Sequence, residues 1–306
     1  MEKLLIIDGS AIMHRAYHAL PPFTAPDGTP TNVLFGFAKM LISLAQQIKP
    51  QYLIVAFDTP KPTFRKALFK EYQAQRPKAD NDYIVQVPLV QKFLNLAGVA
   101  IDFREGFEAD DVIGSLTAKA REHNLQTFVA TGDKDMLQLV GENVTLVMPK
   151  KGVSDLHFVD EKGVVAKLGV KAQEIVDYKA LVGDASDNYP GVKGIGPKRA
   201  ATLLSEYQTF EGIYANLDKI DERTRNLLVT NRENGQISKR LAQIKTDLDL
   251  EFDLGKARFG GLTDNPQLTE FLEKLALRSL RKLLSVSKSV VKEEVDKRTN
   301  NQLSFF

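Results

Sequence analysis

Short apolar runs alternate with longer segments of helical periodicity over the first half of the chain. Three apolar, β-branched runs predict buried strands, at residues 4–7, 52–57 and 127–130. Apolar residues recur on one helical face at residues 33–48, 84–96 and 110–122. Strands that alternate with helices in this way predict an α/β fold with a parallel sheet.

The pattern changes near residue 172, where the strand signals fade. Helices are predicted at residues 172–182, 197–205, 223–230 and 236–244, with one or two more at 266–284. Residues 285–301 are polar and poorly patterned, which predicts a flexible tail. We therefore predict an α/β domain over 1–171, a helical region over 172–255, a helical extension over 256–284 and a tail over 285–306.

Composition excludes several classes of site. The chain has no cysteine, so disulfides and thiolate metal sites are absent. His14, His18, His123 and His157 do not show zinc-site spacing and are expected to be surface or packing residues. No apolar run reaches the roughly 18 residues of a membrane span, and the N-terminus lacks signal-peptide features. We therefore expect a cytoplasmic protein without a membrane partner.

The charges are segregated along the chain although the net charge is only +2. Basic residues crowd two stretches: Lys61, Arg65, Lys66, Lys70, Arg76 and Lys78, then Lys193, Lys198 and Arg199. Basic patches beside carboxylates suit a polyanion held against bound metal ions. The alternative is that each basic run is a solvated helix face.

Nine carboxylates form the candidate catalytic set. Four follow predicted strands (Asp8, Asp58, Asp133, Asp135), three begin a predicted helix (Glu108, Asp110, Asp111), and two lie in the turn GDASDN (Asp184, Asp187). Each alone has an ordinary explanation as a helix-dipole partner or a turn former. Because ligands bind beyond the carboxyl ends of strands in open sheets, the three strand ends should pool negative charge in one crevice.

Converging carboxylates repel one another, and bound cations relieve that repulsion. Oxygen ligands without histidine or cysteine favour Mg²⁺ or Mn²⁺. Two such ions serve in-line displacement at phosphorus without a protein nucleophile. The set therefore predicts metal-dependent phosphodiester hydrolysis.

Residues 190–200, PGVKGIGPKRA, form the most specific local motif. Gly191, Gly194 and Gly196 allow backbone amides to approach a phosphate, and Pro197 suits the first turn of a helix whose N-terminus attracts anions. The pattern matches a helix-hairpin-helix, which contacts the DNA backbone without reading sequence. A glycine-rich turn that merely reverses the chain is the alternative.

The chain resembles the 5′-nuclease (flap endonuclease) domain of bacterial DNA polymerase I and its stand-alone relatives. The resemblance lies in the blocks LLIIDGS, VAFD, FRKALFKEYQAQRP, GFEADDVIGSL, ATGDKDMLQLV and LVGDASDNYPGVKGIGPKRA, and it covers roughly residues 1–255. It implies a PIN-like α/β nuclease domain and a helix-three-turn-helix DNA-binding region. It further implies action on branched or 5′-flap DNA and on RNA–DNA junctions, and we expect a monomer.

The resemblance also implies roles for individual residues. Asp8, Asp58, Glu108 and Asp110 would surround a first Mg²⁺ or Mn²⁺, with Asp111 beside them, and Asp133, Asp135, Asp184 and Asp187 would serve a second. A helical arch, about residues 59–107, would gate the 5′ strand, with Arg65 and Arg76 on phosphate and Tyr72 stacked on a base. Lys66, Lys70, Lys193, Lys198 and Arg199 would add DNA contacts, and K⁺ is a further candidate ligand of the hairpin.

Two features stand apart from the blocks. The family usually has Tyr-Lys in the arch, but this chain has Tyr72-Gln73, so a cation near the scissile phosphate is missing unless Lys66 or Lys70 replaces it. Residues Gln302, Leu303, Ser304, Phe305 and Phe306 resemble the bacterial sliding-clamp-binding pentapeptide, which predicts a clamp contact and favours a stand-alone nuclease over a fragment. An incidental apolar end is the alternative.

Two other functions remain as alternatives. A non-catalytic junction-binding module would keep the basic arch and hairpin but lose metal ligands, whereas all the expected carboxylates are present. A PIN-type ribonuclease would share the acidic α/β core but usually lacks the arch and hairpin.

Overall fold

A six-stranded sheet organises the N-terminal half of the protein. The computed structural model describes residues 1–150, 155–262 and 265–284. The strands are β1 (Lys3–Asp8), β2 (Tyr52–Ala56), β3 (Ala100–Asp102), β4 (Gln126–Ala130), β5 (Val144–Pro149) and β6 (Leu156–Val159). Their order is β3-β2-β1-β4-β5-β6, and all neighbours are parallel except β5 and β6. The predicted α/β class and parallel sheet are confirmed.

The sheet is covered by helices on both faces, as its continuous apolar strands require. Leu4 and Ile6 of β1 pack into one core, whereas Leu5 and Ile7 pack into the other. All four of these side chains have no exposed surface. The central strands were therefore predictable, whereas β3, β5 and β6, which lie towards the edges, were not among the predicted strands.

The described part of the chain contains fourteen helices with both ends defined, and residues 278–284 are helical as well. In the α/β half they are α1 (Gly9–Ala19), α2 (Asn32–Ile48), α3 (Phe64–Leu68), α4 (Asn81–Ile84), α5 (Val87–Leu96), α6 (Ala109–Glu122) and α7 (Glu161–Leu168). They are followed by α8 (Ile175–Val182), α9 (Pro197–Tyr207), α10 (Phe210–Ala215), α11 (Glu222–Thr230), α12 (Arg232–Ala242), α13 (Leu254–Ala257) and α14 (Pro266–Lys274). Short 3₁₀ segments lie at Asp135–Leu139, Ala172–Glu174 and Leu217–Lys219.

The helical region extends the core on the α6 side of the sheet. Leu181 of α8, Leu204 of α9 and Leu228 of α11 belong to the same buried cluster as Leu4 and Leu116. The helix predicted at 236–244 begins earlier and ends earlier, as α12. No helix among the described residues is long and apolar enough to cross a bilayer. The sheet and the helical region are thus joined by one continuous apolar core.

Candidate active site

Three adjacent strands deliver aspartates to the same edge of the sheet. Asp8 ends β1, Asp58 follows β2 by two residues, and Asp133 follows β4 by three. Strand β1 pairs with both β2 and β4 in parallel register. The predicted pooling of carboxylates beyond the strand ends is therefore what the topology produces.

Asp8 lies at the centre of this edge and is almost fully buried, with 3% of its surface exposed. Its Oδ1 accepts a hydrogen bond from the Ala11 amide (2.9 Å), which caps α1, and its Oδ2 accepts one from Thr131 Oγ1 (2.7 Å). Burial raises the pKa of Asp8 to about 7, and the charges of Asp58 and Asp133 add to the rise.

The first turn of α6 brings two further carboxylates to the edge. Glu108 caps the helix, and the Ala109 amide donates to Asp58 Oδ1 (2.8 Å), which ties the helix start to β2. Burial raises the pKa of Glu108 to about 7 although the nearby Arg65 lowers it. Burial, then Asp133 and Asp8, raise the pKa of Asp110 well above its ordinary value. The carboxylate of Asp110 is therefore close enough to Asp8, Asp58 and Asp133 for their negative charges to repel one another.

Arg65 and Asp111 form a buried ion pair instead of lining the open site. Arg65 is 2% exposed and Asp111 is fully buried. The guanidinium donates to both Asp111 oxygens (2.7 and 2.8 Å) and to Glu108 Oε2 (3.1 Å). It also donates to the carbonyls of Leu241 and Gln243 beside the C-terminal end of α12.

These contacts bear on two predictions from the sequence, which stay predictions. Arg65 was expected to contact phosphate, but its N–H groups are directed to protein acceptors in a buried position. Asp111 was expected among the catalytic carboxylates, but its side chain accepts from Arg65 and from the amides of Glu108 and Lys245. Both residues join α3, α6 and α12, and both also contact Glu108.

A lysine that the sequence reasoning missed lies between two of the remaining carboxylates. Lys179 of α8 donates to both Asp135 and Asp184. Burial raises the pKa of Asp135 to about 6 against the opposing effect of Lys179. For Asp184, hydrogen bonds from Lys179 and Ser186 outweigh burial and hold its pKa below the ordinary value. The available signal was a single lysine within the mostly buried helix IVDYKALV.

Tyr72 connects Glu108, at the start of α6, with Asp187 of the GDASDN turn. Its hydroxyl lies 3.1 Å from Glu108 Oε2 and 3.2 Å from Asp187 Oδ2, and it accepts a hydrogen bond from Gln73 Nε2. The ring is 4% exposed and stacks on Tyr189 with 6.5 Å between centroids. The ring of Tyr72 is thus covered by protein in this structure, and its stacking on a base stays a prediction.

The remaining arch residues are distributed between the site and the surface. Arg76 donates to Asp187 Oδ1 (2.6 Å) with half of its side chain exposed, and Gln73 Nε2 reaches the same oxygen at 3.2 Å. Lys66 donates to the Tyr72 carbonyl, whereas Lys70 is exposed. Replacement of the family lysine near the scissile phosphate by Lys66 or Lys70 therefore stays a prediction, and Lys179 places a partly buried ammonium between Asp135 and Asp184.

The GDASDN turn leads directly into the hairpin. The Asp184 and Tyr189 backbones exchange two hydrogen bonds, which close the turn. Gly183 and Gly191 cross so closely that a Cβ on Gly191 would lie 2.2 Å from the Gly183 nitrogen. Both glycines also have positive φ, so larger residues are excluded there. The crossing fixes the carboxylate turn against the hairpin.

The hairpin presents exposed basic residues beside the start of α9. Lys193, Gly194, Gly196 and Lys198 are exposed, whereas Ile195 is buried and anchors the turn. Arg199 is partly buried, and its Nη1 lies 3.3 Å from the Gly194 carbonyl. The free amides at the start of α9 and these cations form a surface that suits an extended phosphate backbone.

The donor set fits a hard divalent cation, although the side chains do not enclose one as they stand. Among the described residues, no three acidic or histidine side chains already form a ready metal cage. Burial is the main cause of the raised pKa values of Asp8, Glu108 and Asp110, and the charges of neighbouring carboxylates add to the rise; a bound cation would favour the ionised forms. The charges of Asp135, Asp184 and Asp187 are partly neutralised by Lys179 and Arg76. The predicted clamp residues 302–306 lie outside the described part of the chain.

Comparisons with known sequences agree with this architecture. Residues 3–169 match the family model described as the N-terminal resolvase-like domain of 5′-3′ exonuclease, and residues 170–265 match its C-terminal SAM fold. A 5′-3′ exonuclease of Aquifex aeolicus is 38% identical over 308 residues and covers the whole of both chains. DNA polymerase I of Caldicellulosiruptor bescii is 42% identical over 302 residues, which is 97% of this chain but 35% of that protein. The chain thus spans about a third of the polymerase relatives.

Solved structures show the same fold at low sequence identity. A complex of a bacteriophage T5 flap endonuclease with DNA and metal ions superposes with a TM-score of 0.66 at 18% identity, over 95% of this chain and all of that one. Human GEN1 bound to Holliday junction DNA gives 0.58 at 15% identity, over 89% of this chain and 67% of that one. From the two family matches and the full-length relative, the chain belongs to the 5′-3′ exonuclease family and is a nuclease.

Proposed function

We propose that the protein is a structure-specific 5′-3′ exonuclease and 5′-flap endonuclease that hydrolyses phosphodiesters with two divalent metal ions. The observation that carries the proposal is the convergence of buried and partly buried carboxylates with raised pKa values beside an exposed basic hairpin. Branched DNA and RNA–DNA junctions are the proposed substrates, in replication and repair. The structures of T5 and GEN1 proteins with DNA support the substrate class.

The two metal positions differ in what surrounds them. Asp8, Asp58, Glu108 and Asp110 would hold the first ion, and Asp133, Asp135, Asp184 and Asp187 the second. Mg²⁺ or Mn²⁺ suits these all-oxygen sets. When bound, such ions lower the pKa of water and neutralise charge that develops at the scissile phosphate. The second group already contains three ion pairs, made by Lys179 and Arg76, so we expect it to bind a divalent ion more weakly.

The chain's own residues position the substrate and the carboxylates. The hairpin amides, with Lys193 and Lys198, grip the phosphate backbone without reading bases. The half-exposed Arg76 provides positive charge at the entrance to the site. Tyr72 holds Glu108 and Asp187 in fixed relation through its hydroxyl. K⁺ at the hairpin stays a prediction from the family resemblance.

A cleavage assay on a 5′-labelled flap tests the proposal. Wild-type protein should cut with Mg²⁺ and fail with EDTA, and Asp110→Ala should lose cleavage while retaining flap binding. Asp218→Ala, which removes an exposed carboxylate of the helical region, should behave as wild type. Metal-independent cutting, or full activity of Asp110→Ala, would overturn the mechanism.

The same assay separates the two alternative functions. A non-catalytic junction-binding module would bind the flap and leave it intact under all metal conditions. A PIN-type ribonuclease would cut single-stranded RNA and spare the DNA flap. The exposed hairpin beside the carboxylates favours the DNA flap as the better substrate.

We further propose that residues 302–306 bind a bacterial sliding clamp, which would raise the local concentration of the nuclease on DNA. The support is the similarity of Gln302-Leu303-Ser304-Phe305-Phe306 to the clamp-binding pentapeptide. Deletion of these five residues should weaken clamp binding in surface plasmon resonance and leave clamp-free flap cleavage unchanged. Equal clamp affinity before and after deletion would exclude this contact.

A further inference from the structure

Two histidines form a close pair on the exposed side of α1, outside the carboxylate site. His14 and His18 are one helical turn apart, and both side chains are exposed. Their Nε2 atoms lie 3.1 Å apart, and the ring centroids are 4.4 Å apart. Residues four apart on a helix face the same direction, so α1 itself presents both nitrogens to one point.

The separation of the two nitrogens matches what a shared metal ion requires. With metal–nitrogen bonds of about 2.05 Å, a 3.1 Å separation corresponds to a nitrogen–metal–nitrogen angle of about 98°. That value lies between the angles of square and tetrahedral coordination. We propose that His14 and His18 bind a late first-row divalent transition ion, namely Cu²⁺, Ni²⁺ or Zn²⁺. Imidazole nitrogens favour these ions over Mg²⁺ and Mn²⁺.

Neighbouring aromatic residues hold the two rings in place. His14 packs edge-on against Tyr83 of α4, and His18 packs in the same way against Tyr17. Tyr17 in turn donates a hydrogen bond to Asp80 Oδ2 (2.8 Å). Partial loss of water around the ring lowers the pKa of His14, which favours the neutral form that ligates metals. The pair is thus orientated before any ion arrives.

The pair provides two ligands, so the remaining positions of the ion stay open. Among the described residues, no third histidine or carboxylate completes a closed site. An ion bound here would therefore exchange with solvent and accept an external ligand. This site is chemically distinct from the carboxylate cluster, because it offers nitrogen in place of oxygen.

Copper electron paramagnetic resonance distinguishes the two sites. One equivalent of Cu²⁺ is added to the full-length protein in excess Mg²⁺, which occupies oxygen sites. Wild-type protein should show superhyperfine coupling to two equivalent imidazole nitrogens. His14→Gln and His18→Gln should each lose that two-nitrogen pattern, whereas His157→Gln, which changes an exposed histidine on β6, should keep it.

Calorimetric titration with Ni²⁺ gives a second measure. Loss of an outer partner of a metal ligand already costs about 10–100-fold in affinity, so removing either histidine should weaken binding by at least about tenfold. Circular dichroism of the metal-free variants should match wild type. A two-nitrogen signal that survives when both substitutions, His14→Gln and His18→Gln, are combined would overturn the proposal. A wild-type protein without nitrogen coupling would equally overturn it, because the pair would then be only a hydrogen bond.

Discussion

Replacement of Arg65 by leucine tests the buried ion pair that joins α3, α6 and α12. The change removes the guanidinium and leaves the Asp111 carboxylate, which has no exposed surface, without its cationic partner. Breaking a buried pair from one side costs about 3–5 kcal/mol. Since a typical domain is stable by about 5–15 kcal/mol, we expect a large drop in the urea midpoint with little change in slope.

A matched control removes a cation from the same stretch of chain. Lys61 pairs with Glu105 at 2.5 Å, but both side chains are about 60% exposed. Lys61→Leu should therefore change stability by less than about 1 kcal/mol. The double variant Arg65→Leu/Asp111→Leu should recover only part of the lost stability. The backbone amides of Glu108 and Lys245, which donate to Asp111 in the wild type, would be left without that acceptor. If Arg65→Leu and Lys61→Leu cost the same, the reasoning from burial is refuted.

Three further predictions concern the site. In EDTA, the raised pKa values of Asp8 and Glu108, both about 7, mean that the folded state holds protons that the unfolded state has released. The free energy of unfolding should therefore fall as pH rises from about 4 to 7. In urea titrations, the double variant Asp8→Asn/Glu108→Gln should show a smaller fall. An unchanged dependence on pH would contradict the raised pKa values. Gln73→Lys should raise the single-turnover cleavage rate in rapid-quench assays. The increase should be less than the roughly 100-fold effect of one hydrogen-bond donor to the transition state, because other cations are already nearby. An unchanged rate would mean that glutamine at this position has no catalytic consequence. Lys193→Ala with Lys198→Ala should reduce the slope of log affinity against log salt by about 2 in fluorescence anisotropy, and an unaltered slope would exclude contacts to phosphate.

The parts of the fold that were predictable from sequence are those with strong local patterning. Strands β1, β2 and β4 are continuous apolar runs because both faces of the sheet are covered. Strand β3 has three partly buried residues, too few to show a pattern. Helix α1 was also missed, because it follows β1 without an intervening loop. The histidine pair became visible only when α1 placed residues 14 and 18 on one face.

The candidate site was predictable in its residue types but not in its internal pairing. Strand ends and a helix start identified the carboxylates, since the sheet topology brings those positions together. Nothing local indicates that Arg65 reaches Asp111, because the contact joins segments 46 residues apart. Lys179 was missed for the same reason: its partner Asp135 lies 44 residues away along the chain. Long-range ion pairs depend on packing that periodicity does not describe.

The crossing of Gly183 and Gly191 has a geometric consequence for the products of the reaction. The carboxylates of the GDASDN turn and the backbone-gripping hairpin share one short, closed stretch of chain. In the proposed reaction, the distance between the phosphate bound by the hairpin and the scissile phosphate is therefore fixed. Cut positions should therefore cluster at one nucleotide, and their register should be unaffected by base sequence.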